Sequence, residues 1–117
     1  MKQLLKAAYA ALPFKQQVFT LLRGLWTPPH AVYKHLYFKG VLDINTDAQK
    51  SFKIIHHGFS LENDLFWLGL RNGWEKNSIA LWMKLCEKSK VVFDIGANTG
   101  VYSLITKTVN PQANVYA

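Results

Sequence analysis

The apolar positions change their period along the chain, and each period predicts a different element. Leu4, Leu5, Ala8 and Leu12 recur at helical spacing, so Met1 to Leu12 reads as an amphipathic helix. Pro13 suits the first turn of a second helix running through Trp26, which Thr27-Pro28-Pro29 stops. From Tyr37 the pattern becomes β-like. YFKGVLDI and SFKIIHH are β-rich runs around NTDAQK, a polar turn-former cluster, and predict a hairpin. Gly40 inside the first run suggests a bulge, and Gly58 ends the second.

Helical spacing returns at Leu61, Leu65 and Leu68, predicting a helix over Leu61 to Leu70. Asn72-Gly73 supplies its stop, with Gly73 in a left-handed cap. Ile79, Trp82, Met83 and Cys86 form the stripe of a further helix from Ser78 to Glu87. Asn77 or Ser78 is placed to cap its start, and Lys84, Lys88 and Lys90 suit its negative end. Val91 to Ile95 is short, continuous and β-branched, as strands covered on both faces tend to be. After a glycine-bearing turn, Val101, Leu104, Ile105 and Thr108 share one helical face, and Asn110-Pro111 breaks the helix. Asn114 to Ala117 opens a second strand. The predicted order strand, turn, helix, strand is one βαβ unit, so the fold class is α/β. Three segments follow: a basic helical stretch over 1–36, a hairpin over 37–60, and helices with the βαβ unit over 61–117.

Composition narrows the function. The chain has 117 residues, half of them apolar and 14% aromatic, enough for a core. No apolar run approaches the roughly 20 residues of a membrane helix. Lys6 interrupts the apolar opening, which therefore reads as a surface helix rather than a signal peptide. The single cysteine, Cys86, fits a reducing, cytoplasmic setting and reads as a buried small hydrophobe. The net charge of +7 is uneven: Lys2, Lys6, Lys15, Arg23, Lys34 and Lys39 all precede the first acid, Asp43. No basic cluster is dense enough for a nucleic-acid segment. A solvated basic face is expected, with weak peripheral membrane contact the best of the functional readings.

Candidate chemistry concentrates in VVFDIGANTG, Val91 to Gly100. Dinucleotide sites want G-x-G-x-x-G. Counted from Gly96, Asn98 and Val101 stand where the second and third glycines belong. No Gly-Lys-Ser/Thr ends the turn, so it is not a P-loop. Asp94 would repel a diphosphate in a poorly hydrated cleft. It suits a cationic ligand instead, and S-adenosylmethionine carries a sulfonium and an ammonium. Gly96 allows the backbone to approach such a ligand, Asn98 tolerates unusual dihedrals, and Gly100 lets the next helix pack close. A purely structural turn is the competing reading. His56 and His57 are adjacent on a strand and point to opposite faces, which argues against a shared metal. His30 and His35 lack a third ligand at suitable spacing. Trp67, Trp74 and Trp82 read as packing residues rather than a sugar-stacking platform.

VVFDIGANTGVYSL resembles motif I of class I S-adenosylmethionine-dependent methyltransferases, and E-N-x-L-F-W…G-W-E upstream resembles the FkbM family in particular. The likeness covers roughly Tyr37 to Ala117. It implies a Rossmann-like methyltransferase domain and O-methylation, often of a sugar hydroxyl on a glycan or small-molecule acceptor. It implies that Asp94, Gly96, Ala97, Asn98 and Gly100 form the cofactor turn. Tyr102 and Ser103 would lie near the methionine end, and Glu75 near the cofactor or its cover. The family's ribose-holding acid falls shortly beyond this point, on the second strand. The chain is therefore expected to be a truncated portion with half a cofactor site, inactive alone, with apolar strand faces left bare. The rival expectation is a non-catalytic basic module that docks on a partner protein or a membrane surface.

Overall fold

A computed structural model describes residues 1–46 and 49–117. Asp47 and Ala48, within the predicted NTDAQK turn, lie outside the described residues. The elements are α1 (Lys2–Ala11), α2 (Lys15–Leu25), α3 (His30–Tyr33), β1 (Gly40–Asn45), β2 (Ser51–His56), α4 (Ser60–Asn72), α5 (Lys76–Cys86), β3 (Val91–Phe93), α6 (Val101–Val109) and β4 (Asn114–Tyr116). The architecture is mixed α/β.

The hairpin follows directly from its period-2 pattern. β1 and β2 pair antiparallel, from Gly40 opposite His56 to Asn45 opposite Ser51. Leu42, Ile44, Phe52, Ile54 and His56 point inward and are buried. Asp43 and Lys53 face each other on the outer side as an exposed ion pair, worth little in water. The register is unbroken at Gly40, so the expected bulge is absent. Gly40 instead makes room for α2: a Cβ there would stand 2.7 Å from Gln16 Oε1, while Gln16 Nε2 donates to the carbonyl of Val41 at 2.8 Å.

α4 lays Leu65, Phe66, Trp67 and Leu70 over the hairpin's inner face. Phe19 of α2 and Tyr33 of α3 join the same core, so it runs across the 36/37 boundary. Aromatic rings do much of the joining. Trp67 lies 5.8 Å from Phe19, 6.1 Å from Tyr33 and 5.1 Å from Phe66, centroid to centroid. Arg23 of α2 sits over the Phe66 ring and donates to the Phe66 carbonyl.

Several local expectations are corrected. Pro13 precedes α2 rather than occupying its first turn, because Phe14 between them takes a left-handed conformation, φ 64°. The short α3 follows the Pro-Pro stop, unannounced by any apolar period over so few residues. Gly73 ends α4 at φ −74°, and the left-handed residue is Gly69, where φ 69° and ψ −168° kink the helix. α5 starts at Lys76 behind Glu75, with no side-chain cap from Asn77 or Ser78. Trp74 is 79% exposed and so is not a core residue, whereas Trp67 is buried and Trp82 half-buried.

Gly69 gives a clean stability test. A Cβ built there meets nothing within 4 Å, so alanine adds no clash. Its dihedrals nonetheless belong to glycine almost alone. Gly69→Ala is expected to lower stability by about 1–3 kcal/mol through backbone strain. An unchanged urea midpoint would show that the kink relaxes freely.

β3 and β4 pair in parallel, Val91 with Asn114 and Phe93 with Tyr116, and α6 is the crossover between them. α6 buries Val101, Ile105 and Thr106; Thr106 rather than Thr108 completes its inner face. Asn110 both ends α6 and donates to the carbonyls of Cys86 and Ser89, at 2.9 and 2.8 Å, satisfying the end of α5. β3 is shorter than expected and covered on one face alone. Val92 is buried, while Val91, Phe93 and Ile95 are exposed, Ile95 at 95%. The bare apolar face expected from the sequence is present.

Candidate functional site

The end of β3 delivers Asp94 to the turn, and α6 rises from the turn's far side. Three residues there have positive φ: Gly96 at 76°, Asn98 at 52° and Gly100 at 81°. The chain needs that sequence of left-handed steps to reverse within a few residues, which explains two glycines and an asparagine. The Gly100 N–H closes the turn onto the Ala97 carbonyl at 2.8 Å, and Gly100 then caps α6. A Cβ at Gly96 or Gly100 would meet nothing within 4 Å. The backbone of the turn is thus open to a ligand rather than packed against the protein.

The side chains converge on the first turn of α6. Asp94 is 9% exposed, its backbone N–H is fixed to the Tyr116 carbonyl, and Ser103 Oγ donates to Asp94 Oδ2 at 2.6 Å. No cation pairs with Asp94 among the described residues. Tyr102 donates its hydroxyl to Glu75 Oε2 at 3.1 Å. Burial, then that carboxylate, then Asp94 push the Tyr102 hydroxyl up to about 12. Tyr102 therefore stays protonated at neutral pH and is a donor, not a base. Its ring is held edge-on by Trp82, whose indole N–H donates to Thr106 Oγ1 at 2.9 Å and to the Tyr102 carbonyl at 3.1 Å. Cys86 is buried with its sulfur 3.2 Å from the same Thr106 hydroxyl.

Of the residues expected at the site, Asp94, Gly96, Ala97, Asn98, Gly100, Tyr102 and Ser103 lie in one continuous stretch. Glu75, at the N-cap of α5, joins them through Tyr102. Thr99 was not foreseen. Its hydroxyl is buried in the turn without a hydrogen-bond partner, an arrangement that usually costs stability.

A second polar cluster lies under the hairpin, away from the turn. The Gly58 N–H donates to His56 Nδ1 at 3.0 Å, which leaves the proton on Nε2, facing Asn63 Oδ1 at 3.4 Å. Asn63 Nδ2 donates to the Tyr33 carbonyl at 2.9 Å. Glu62 is fully buried with neither carboxylate oxygen partnered. The E-N of the upstream motif is therefore interior. His57 points outward, as alternation requires. No grouping of His, Cys, Asp and Glu fit for a metal occurs among the described residues.

Burial holds His56 below its ordinary range, against the pull of Glu62. The folded state thus resists binding a proton that the unfolded chain accepts below about pH 6.5. Stability should be full above that value and fall as pH drops through it. Urea midpoints compared at about pH 7.5 and about pH 5.5 should show the loss, and His56→Gln should flatten it. A midpoint independent of pH in the native chain would contradict a neutral His56.

No helix among the described residues is long and apolar enough to cross a membrane. Compared with known protein families, curated proteins and solved structures, the chain matches none, so the geometry of the turn carries the functional reading.

Proposed function

We propose that Asp94 to Ser103, with Glu75, hold the methionine end of S-adenosylmethionine in a Rossmann-like class I methyltransferase of the FkbM type. The observation that carries this is Asp94: a nearly buried carboxylate with one hydroxyl donor and no cation beside it. Such a charge is costly until an opposite charge arrives. A ligand bearing ammonium and sulfonium meets that need, and a diphosphate does not.

The rest of the turn fits the same ligand. The first turn of α6 presents backbone N–H groups without helical partners, suited to the ligand's carboxylate. Gly96 and Gly100 leave the backbone approachable, and the Thr99 hydroxyl is a spare polar group. When bound, the cofactor supplies an electrophilic methyl group. The protein's part is to hold the donor in line with an acceptor hydroxyl, here taken to be that of a sugar on a glycan or small molecule. Tyr102 positions rather than reacts, because its hydroxyl donates to Glu75 and does not ionise near neutrality. β4, with Asn114, Val115 and Tyr116, offers no carboxylate for ribose hydroxyls. The proposed contacts therefore grip the methionine end of the cofactor alone, and binding is weak.

Photolabelling tests the reading. Trypsin releases Val91 to Lys107 as one peptide, since Lys90 and Lys107 bracket it. Irradiation with S-adenosylmethionine should place the label on that peptide. Label spread evenly over the chain would sink the proposal.

A further inference from the structure

A second surface lies on α1 and α2. α1 buries no residue, and α2 buries Phe19 alone. Leu4 and Leu5 of α1 are 75% and 65% exposed. On α2, Val18, Leu21 and Leu25 fall at i, i+3 and i+7, a stripe apart from Phe19, and Leu25 is 88% exposed. Trp26 and Phe14 extend the exposed apolar surface at the helix ends. A short chain gains nothing from presenting so many large side chains to water.

The charges around this surface are of one sign. Lys2, Lys6, Lys15, Lys34 and Lys39 form no ion pair among the described residues, and no acid precedes Asp43. A groove of about 1100 Å³ between α1, α2 and residues 35–39 is lined by Lys6, Lys15 and Lys39 together with Tyr9, Phe14 and Tyr37. Along that groove ammonium groups and apolar side chains lie side by side, as they do where a helix lies in a bilayer interface, and the stripe of α2 adds exposed apolar surface on the same helix.

We propose that α1 and α2 dock on an anionic lipid bilayer, with the leucine stripe entering the interface and the lysines meeting lipid phosphates. Two competing occupants fit this surface less well. A second copy of this chain on a two-fold axis would set its lysines against their like. A nucleic acid would leave the leucines without apolar cover, and Arg23, the one arginine of this region, is committed to Phe66.

Vesicle co-sedimentation of the full chain tests the proposal. Phosphatidylcholine vesicles containing phosphatidylserine should retain it, and phosphatidylcholine alone should not. Raising ionic strength from about 0.1 M to about 0.5 M should weaken retention. Leu21→Glu with Leu25→Glu should cut partitioning on the order of tenfold or more. Leu81→Glu, an exposed leucine of α5, should leave it unchanged. The leucine variants should keep their circular dichroism, since both positions are solvent-facing. Equal retention of the leucine variant, no retention on anionic vesicles, a dimer that masks the stripe, or binding to nucleic acid in place of vesicles would each overturn the assignment.

Discussion

Trp67→Ala is expected to cost about 3–5 kcal/mol, the largest stability loss of any single substitution proposed for this chain. The magnitude follows from position. Trp67 is 3% exposed and touches the rings of Phe19, Tyr33 and Phe66, which come from α2, α3 and α4. Its indole N–H also donates to the Leu36 carbonyl at 3.0 Å, tying the segment that leads into β1. Truncation opens a cavity among three elements and strands that carbonyl. A small domain's whole margin is about 5–15 kcal/mol, so the variant should be largely unfolded or shift its urea midpoint sharply. Trp67→Phe keeps most of the ring and loses the hydrogen bond, so it should cost about 1–2 kcal/mol. Equal losses in the two variants would mean that the hydrogen bond, not the ring packing, joins these elements.

Asp94→Asn should separate charge from shape at the turn. The amide keeps the size of the carboxylate and can still accept from Ser103 Oγ. It loses the negative charge. S-adenosylmethionine affinity should fall on the order of tenfold or more, the scale of one charge contact in a nearly buried site. S-adenosylhomocysteine lacks the sulfonium charge, so its affinity should fall less. Isothermal titration of both ligands against both proteins checks the difference. Parallel losses would mean that Asp94 answers the ammonium, which both ligands carry, or supports the turn's conformation, and does not answer the sulfonium.

The hairpin was legible because one face alone is buried, which prints period 2 onto VLDI and FKIIH. The turn was legible because left-handed backbone selects Gly96, Asn98 and Gly100 whatever the surroundings. α6 was legible except at its last inward position, where Thr106 replaced Thr108: a threonine bonded to Trp82 and Cys86 is polar by composition yet interior by contact. The failures share a cause: each was settled by tertiary contact. Gly69 and Gly73 are both plausible helix enders, and only the packing of α4 against α5 chooses the kink. Trp74 has a core residue's composition but falls at the α4–α5 junction, on the solvent side. The burial of Glu62 contradicts its charge, and no local pattern announces it.

The glycine turn was read from sequence as a place for a cationic cofactor, and the proposal made for it rests on Asp94, buried without a counter-charge among the described residues. β3 leaves one apolar face, Val91, Phe93 and Ile95, bare to solvent. The most direct test is amide chemical-shift mapping on ¹⁵N-labelled protein titrated with S-adenosylmethionine, a method suited to weak binding. The account predicts shifts concentrated at Asp94 to Leu104 and at Glu75, with a nicotinamide dinucleotide leaving those amides in place. Shifts scattered elsewhere, or an equal response to the dinucleotide, would contradict it.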